Sequence, residues 1–299
     1  MGYLFLFISV LAGASKGFCG KKVSGFVETY KDTMLCNFLR MFFCIAIGLG
    51  MIAFEGDLSL LAINRDMLLT TLLSGVSTAA FVILWIISVK DGSYVVLDVF
   101  LMLGVIFTTV LCKIFFNEAI RLNQYLGFVL LVAATLVMCW YNISSRGKMT
   151  LKSLLLLVGC GVANGLTDFS QKMFVYNQIN STNAVFNFYT YVFAAVTLGI
   201  AFVCFKDNTG EDSGKHNVSF IKNIIGYIIV MAICLFANSF FKVLAAGYLD
   251  SAKLYPLTQG SALILSVLMA GIFFKEKITL KCIVGMIMAF VALLIINVL

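Results

Sequence analysis

Apolar residues run through the chain in ten long stretches, and short segments between them collect most of the charged residues. Each stretch has about 20 residues, the length that an α-helix needs to cross about 30 Å of hydrocarbon. Backbone amides in lipid must bond within their own segment, so these stretches predict helices rather than open strands. The predicted spans are 2–20, 34–54, 67–89, 93–116, 122–142, 153–175, 183–205, 223–247, 252–274 and 278–298.

Composition supports a membrane protein. The chain is 62% hydrophobic and only 12% charged, whereas soluble domains carry about 45–50% apolar and about 25% charged residues. The longest connector, 206–219, is predicted to be a polar loop, and it is too short to fold alone. The expected fold class is an all-α integral membrane protein with ten transmembrane helices.

One eight-residue segment of the chain has a similar counterpart later in the sequence. FFNEAIRL at 115–122 and FFKEKITL at 273–280 agree at five of eight positions and lie 158 residues apart. Matches at the same offset are Ser93 with Ser251 and Gly127 with Gly285. Matches at an offset of 150 are Lys22 with Lys172, Asn37 with Asn187 and Phe38 with Phe188. Shared polar residues at fixed offsets favour an internal repeat, although apolar helices also resemble each other by composition.

The repeat predicts two five-helix units, 1–142 and 153–299. Because five is odd, the second unit enters the membrane from the side opposite to the first, which gives an inverted repeat. Such repeats are typical of secondary transporters, which hold a substrate between the halves near the midplane of the bilayer.

The repeat also carries a family resemblance. The stretch AKLYPLTQGSALILSVLMAGIFFKEKITLKCIVGMIMAFVALLIINVL has a proline early in its first helix (Pro256), an acidic residue in a short turn (Glu276) and a following glycine (Gly285). This stretch resembles the second half of an EamA-type ten-helix transporter of the drug/metabolite transporter superfamily. DGSYVVLDVFLMLGVIFTTVLCKIFFNEAIRLNQYLGFVLLVAATLVM resembles the first-half version, with Asp98 in place of Pro256.

The resemblance implies transport of a solute by alternating access, without a cofactor. Relatives of this fold also handle lipid-linked sugars, so a flippase for a lipid-linked carrier is an alternative. The first helix lacks the membrane-embedded glutamate by which the small multidrug-resistance relatives bind cations and protons. Cation/proton exchange of that kind is therefore not expected.

Several ionisable residues fall inside the predicted spans, where each costs about 2.5–3.5 kcal/mol on insertion scales unless it meets a partner or water. We call the membrane face next to the N-terminus face A and the opposite face B. Predicted near face B are Lys16, Arg40 and Asp98, and predicted near face A are Asp168, Gln171, Lys172 and Lys242. We interpret these two clusters as gates or coupling groups, which pair when closed and are solvated when open. Alternatively, the long basic side chains reach the headgroups.

Uncharged polar residues lie between the two clusters. The predicted substrate-cavity residues are Asn164, Asn187, Tyr191, Asn238, Tyr255 and Gln259. Amides and phenols in an apolar cavity suit a small polar ligand, although such residues also hydrogen-bond helices to one another. Pro256 is expected to break or bend its helix, because it removes one backbone hydrogen bond.

The chemistry argues against an enzyme. The nine cysteines lie in or beside apolar runs without metal-ligand spacing, and the one histidine, His216, lies in the polar loop. We therefore expect no catalytic site, no metal and no cofactor, and an intramembrane enzyme is disfavoured. No Gly-rich phosphate loop of the G-x-x-x-x-G-K-[ST] type is present in the sequence, so transport is expected to depend on a gradient, an exchange or downhill flow. Basic residues are not clustered with exposed aromatic residues, so no nucleic-acid partner is predicted.

The favoured function is a secondary transporter for a small polar metabolite in a bacterial cytoplasmic membrane, with membrane lipids as its surroundings. Four basic against two acidic embedded residues favour an amino-acid-like or anionic solute. A monomer is expected, since one chain supplies both units, and a dimer is the alternative. A membrane accessory protein without transport is a further alternative to the transporter. Basic loop residues are concentrated on face B, which favours a cytoplasmic face B, whereas ten-helix relatives keep their termini inside. Orientation stays open between the two.

Overall fold

The structure is a computed structural model, and it describes residues 1–55, 61–91, 94–146, 150–177, 179, 181–204, 213–275 and 280–298. Within these ranges the regular structure is helical, and they contain no strand. The helices follow one another along the chain as α1 (Gly2–Ser24), α2 (Tyr30–Glu55), α3 (Arg65–Asp91), α4 (Tyr94–Phe116), α5 (Leu122–Arg146), α6 (Leu151–Tyr176), α7 (Asn183–Cys204), α8 (Ser213–Ala246), α9 (Ser251–Ile272) and α10 (Leu280–Val298).

All ten predicted helices are present. Eight of them are long and apolar enough to cross a membrane, while α5 and α10 carry the shorter apolar segments Leu122–Ala134 and Ile283–Ile296. Large apolar side chains cover the outside, among them Phe54 (93% exposed) and Val203 (80% exposed). Water would penalise so much exposed apolar surface, whereas lipid accommodates it. The chain is an integral membrane protein.

The prediction of a polar loop at 206–219 was wrong for its second part. Helix α8 begins at Ser213, although its apolar stretch covers only Lys222–Ala246. Hydropathy reports which residues lipid accepts, whereas a helix that projects into water needs no apolar residues to keep its backbone hydrogen bonds. Residues 205–212 lie outside the described residues.

Hydrogen bonds between helix ends indicate which ends lie together at each membrane face. Thr182 donates to Glu55 (2.9 Å) and joins the start of α7 to the end of α2. Lys152 Nζ donates to the Tyr30 hydroxyl (3.3 Å) and joins the starts of α6 and α2. The first contact lies on face A and the second on face B, as consecutive helices that cross in alternate directions require.

The third residue of the repeated octet has a positive φ in both copies. Asn117 after α4 has φ 54° and Lys275 after α9 has φ 48°, and these residues stand 158 positions apart. Residues other than glycine seldom adopt positive φ. The agreement between the copies therefore extends from sequence to the turn that ends each helix.

Helix packing follows the same relation. Each helix of the first half can be paired with the helix five places later in the chain, so that α1 corresponds to α6 and α3 corresponds to α8. Under this pairing the α1–α8 contact corresponds to the α6–α3 contact. In the same way α4–α6 corresponds to α9–α1, and α3–α7 corresponds to α8–α2. Three contacts correspond to themselves: α2–α7, α4–α9 and α5–α10.

Helices α4 and α6 approach each other at three glycines. A Cβ on Gly104 would lie 2.4 Å from the carbonyl oxygen of Gly161, and a Cβ on Gly165 would lie 2.6 Å from that of Gly104. Thr108 adds hydrogen bonds of 2.9 Å to the carbonyl oxygens of Gly104 and Gly165. Residues 161–165 read GVANG, a small-xxx-small spacing that permits close contact in membranes.

Candidate functional site

A central cavity lies among helices from both halves of the chain. It is enclosed by α1, α3 and α4 from the first half and by α6, α8 and α9 from the second, with a volume of about 70 Å³. The polar residues that line it are Lys16, Asp98, Asn164, Asn238, Lys242, Thr258, Gln259 and Ser266. Thr258, Ala262 and Ser266 recur every four residues, so α9 presents them along one side.

An ion pair closes one wall of this cavity. Lys242 Nζ on α8 lies 2.7 Å from Asp168 Oδ1 on α6, and the two side chains are only 8% and 1% exposed. Tyr255 on α9 donates from its hydroxyl to the backbone carbonyl oxygen of Asp168 (2.6 Å). The pair therefore joins three helices of the second half. It also neutralises two charges that would otherwise be costly to bury.

Asp98 and Lys16 supply charge from the first half. The Ser266 hydroxyl donates to the Asp98 carboxylate and links α9 to α4. Lys16 Nζ lies 5.6 Å from the centre of the Phe81 ring, within the range of a cation–π contact. Lys16 and Asp98, predicted near face B, thus share one cavity with Lys242, predicted near face A.

Arg40 lies beside the central cavity. It is 3% exposed and lines a smaller cavity with Lys16, Gly17, Phe81, Val82 and Trp85. Lys16, Gly17, Phe81 and Trp85 line the central cavity as well, so the two spaces adjoin.

Some of the buried amide side chains line the central cavity, and others form hydrogen bonds between helices. Asn164 and Gln259 line the cavity. Asn238 lines it too, and in addition its Nδ2 donates to the Ser9 carbonyl oxygen (2.8 Å) and joins α8 to α1. Gln171 donates to the Ser239 hydroxyl (3.1 Å), a contact between α6 and α8.

Three predicted cavity residues are engaged elsewhere, and they are not among those that line the central cavity. Asn187 donates to the Asn183 carbonyl oxygen (2.8 Å), and Tyr191 donates to the Leu235 carbonyl oxygen (3.2 Å). Tyr255 contacts the backbone of Asp168, as described above. Pro256 is buried inside α9, which continues through it from Ser251 to Ile272.

Lys172 belongs to a separate cluster at face A. Its Nζ lies 3.4 Å from Glu118 Oε1 and donates to the carbonyl oxygens of Ala246 (3.2 Å) and Leu249 (3.1 Å). Glu118 also accepts from the backbone N–H of Ser251 (3.3 Å). This cluster ties the turn after α4 to the ends of α6 and α8 and to the start of α9. Glu118 was not among the residues predicted from the sequence, although it is one of the identical positions of the repeated octet.

Replacing Glu118 with glutamine is expected to lower the free energy of unfolding by about 1 kcal/mol. The pair is partly buried, and Lys172 keeps its two carbonyl acceptors, so the loss should lie between that of a surface pair and that of a buried pair. Thermal unfolding in detergent measures it. Glu55→Gln, at an exposed position of the same face, is the matched control and should change stability by less than about 0.5 kcal/mol. Equal losses in both variants would contradict the role assigned to Glu118.

A comparison with known protein families finds a match in the first half of the chain. The sequence profile of the EamA-like transporter family matches residues 1–140. Residues 1–140 are therefore similar to the EamA-like transporter family. The resemblance to an EamA-type protein of the drug/metabolite transporter superfamily is thereby confirmed. The EamA-like half contributes Lys16, Phe81, Trp85 and Asp98 to the cavity.

The other comparisons give information about the fold but not about the function. No curated protein matches the sequence significantly. A solved structure described only as "Crystal structure of protein" is 14% identical to this chain and has a TM-score of 0.62, covering 98% of this chain and 95% of the other. At this identity the similarity shows the fold alone, and it shows it across both halves, including the part beyond the EamA-like match.

Proposed function

We propose that the protein is a secondary transporter that moves a small polar metabolite, amino-acid-like or anionic, across a bacterial cytoplasmic membrane by alternating access. The observation that carries this proposal is the central cavity, which takes charged and polar side chains from both halves of an otherwise apolar helix bundle. Lys16 and Asp98 come from the first half, and Asn164, Lys242 and Gln259 come from the second. A cavity with convergent polar groups suits a small solute.

We further propose that the units 1–142 and 153–299 are inverted repeats. Three observations support this arrangement: the exchange of equivalent helix contacts, the positive φ at Asn117 and Lys275, and one shared hydrogen bond. Asn37 donates to the carbonyl oxygen four residues before it (2.9 Å), and Asn187 does the same (2.8 Å). These two residues stand 150 positions apart.

Equivalent contacts differ in extent, as an access cycle requires. Helices α4 and α6 make the more extensive contact, and their counterparts α9 and α1 make a smaller one. Two identical halves with identical contacts would open equally to both faces. We propose that transport exchanges the tight and the loose contact between the two halves, so that the cavity opens to each face in turn.

Flux through the purified protein tests the proposal. Liposomes with the protein are given labelled amino acids, organic acids, sugars and nucleosides, and we expect time-dependent uptake of one class at least tenfold above protein-free liposomes. Ala262→Phe places a ring in the cavity and should abolish that uptake. Ala46→Phe, at an exposed position of α2, is the matched control and should retain it. Absence of uptake for every class, or equal uptake by both variants, would contradict transport.

A flippase for a lipid-linked carrier is the second candidate, and one observation favours it. An apolar groove of about 320 Å³ lies between α1 and α9, with Leu11, Phe18 and Leu268 among its lining residues. Ala14 lines both this groove and the central cavity. A lipid chain in the groove would leave its polar head in the cavity.

Fluorescent polyprenyl phosphate in proteoliposomes distinguishes the two candidates. A flippase makes nearly all of the labelled lipid accessible to dithionite added outside, whereas without one only the outer leaflet, about half, is quenched. A solute transporter leaves this fraction unchanged and takes up a soluble probe instead.

A further inference from the structure

Arg40 is buried at a depth where a guanidinium is costly. It lies ten residues into α2, which places it about 15 Å along the helix axis from Tyr30 at face B. It is 3% exposed. A cation within the hydrocarbon region persists where it meets a partner or serves a pathway, so its surroundings are informative.

One edge of this guanidinium is unsatisfied. Among the described residues, none accepts a hydrogen bond from Arg40 Nε or Nη2. These two nitrogens lie on the same side of the planar group and form the side-on fork that binds two oxygens of one anion. Buried donors of a charged group are costly to leave unpaired, so this edge is suited to an incoming ligand.

Arg40 borders a side cavity that adjoins the central cavity. Arg40 lines a side cavity whose walls are Lys16, Gly17, Phe81, Val82 and Trp85. Because four of these walls also line the central cavity, a solute held centrally has a neighbouring place for one charged group. Phe81 and Trp85 offer apolar surface to the rest of the solute.

The charged residues around the two cavities indicate which ligand charge would neutralise them. Lys16, Arg40 and Lys242 are the cations that line these spaces, and Asp98 and Asp168 are the carboxylates that line them or pair with a lining group. Three cations against two carboxylates leave one positive charge. A monoanion neutralises it, a dianion reverses its sign, and a cation adds to it.

We infer that the transported solute is a small monocarboxylate, whose carboxylate binds the Nε/Nη2 edge of Arg40 and the ammonium of Lys16. The body of the solute lies against Phe81 and Trp85 and extends into the central cavity. This inference rests on the proposed transport function and specifies its substrate class.

Matched ligand pairs test the inference on detergent-purified, full-length protein. The probes are phenylacetate with phenylacetamide and 4-methylpentanoate with 4-methylpentanamide, together with phenyl phosphate as a dianion and phenethylamine as a cation. The readout is the thermal unfolding midpoint as a function of probe concentration, which yields an apparent Kd. We expect at least one carboxylate to raise the midpoint, and to do so at tenfold or more lower concentration than its amide, phenyl phosphate or phenethylamine.

Substitutions locate the binding edge. Arg40→Lys keeps the charge and loses the fork, so the apparent Kd for the carboxylate should rise about tenfold or more. Lys16→Gln should also weaken binding, and it provides a second test if Arg40→Lys does not fold. Arg121→Lys, in the exposed turn between α4 and α5, is the matched control and should leave the Kd unchanged.

The outcomes separate this inference from the transport proposal. Amides that bind as well as carboxylates, tighter binding of phenyl phosphate, or an unchanged Kd in both Arg40→Lys and Lys16→Gln would overturn the carboxylate site. Uptake of a neutral solute that is insensitive to these variants would do the same and leave transport intact. Carboxylate binding that depends on Arg40, without uptake of any solute into liposomes, would support the site and contradict transport.

Discussion

Asparagine in place of Asp168 is expected to lower the free energy of unfolding by about 3–5 kcal/mol. The substitution leaves the ammonium of Lys242 buried without its counter-charge, and removing one member of a buried ion pair costs about this much. Both side chains are less than a tenth exposed, and their charged atoms lie 2.7 Å apart, so water screens the pair little. Thermal unfolding in detergent, followed by the fluorescence of Trp85 and Trp140, measures the loss.

A double variant identifies the cause. Asp168→Asn combined with Lys242→Gln removes both charges and should recover most of the lost stability, because neither partner is then left charged. Lys152→Gln, which removes an exposed cation at face B, should cost less than about 1 kcal/mol. If Asp168→Asn were as stable as the parent protein, or if the double variant were less stable than the single one, this account of the pair would fail.

The pair also bears on the gate hypothesis. Loss of transport in Asp168→Asn would combine lost stability with lost charge, so it cannot by itself assign a gate. Transport by the double variant is the more informative measurement, because its stability should be close to that of the parent. A gate that must open and close by charge pairing predicts no transport in that variant.

Alanine in place of Gly104 is expected to destabilise the protein by about 3 kcal/mol, the upper end of the cost of overpacking. Its Cβ would lie 2.4 Å from the carbonyl oxygen of Gly161, so α4 and α6 must move apart. Separation also stretches the hydrogen bond from Thr108 to the Gly165 carbonyl oxygen. The midpoint of thermal unfolding measures the effect, and lowered solute uptake should accompany it.

The matched control is a glycine in open surroundings. A Cβ on Gly199 in α7 meets nothing within 4 Å, and alanine is the better helix former by about 1 kcal/mol. Gly199→Ala should therefore leave stability unchanged or raise it slightly. A Gly104→Ala protein that unfolds at the temperature of the Gly199→Ala protein would disprove close backbone contact between α4 and α6.

The sequence predicts the helices well because lipid imposes a strict rule on them. A span must be long, apolar and internally hydrogen-bonded, and each of these properties can be read from consecutive residues. The start of α8 at Ser213 was missed because a helix in water is not subject to that rule. The two residues with positive φ, Asn117 and Lys275, occupy the third position of the octet that occurs twice in the sequence. Their shared position could therefore be seen from the sequence.

The candidate site was only partly predictable. Buried charge is rare enough that Lys16, Asp98 and Lys242 could be identified from their positions in apolar runs. Partner choice depends on which helices meet, and a sequence does not state this. Lys172 therefore could not be assigned to Glu118. The hydroxyls of Tyr191 and Tyr255 donate hydrogen bonds to backbone carbonyl oxygens on neighbouring helices. The pattern of side chains along the sequence does not predict such partners.

Three helix contacts that map onto themselves have a consequence for ancestry. In the proposed inverted repeat, α2–α7, α4–α9 and α5–α10 are contacts between a helix and its own equivalent, like those of identical surfaces across the axis of a two-fold symmetric homodimer. We infer that a single five-helix polypeptide, inserted into the membrane in both orientations, would satisfy the same three contacts. Gene duplication and fusion would then have preserved an assembly that already existed, and freed each copy to acquire its own charges.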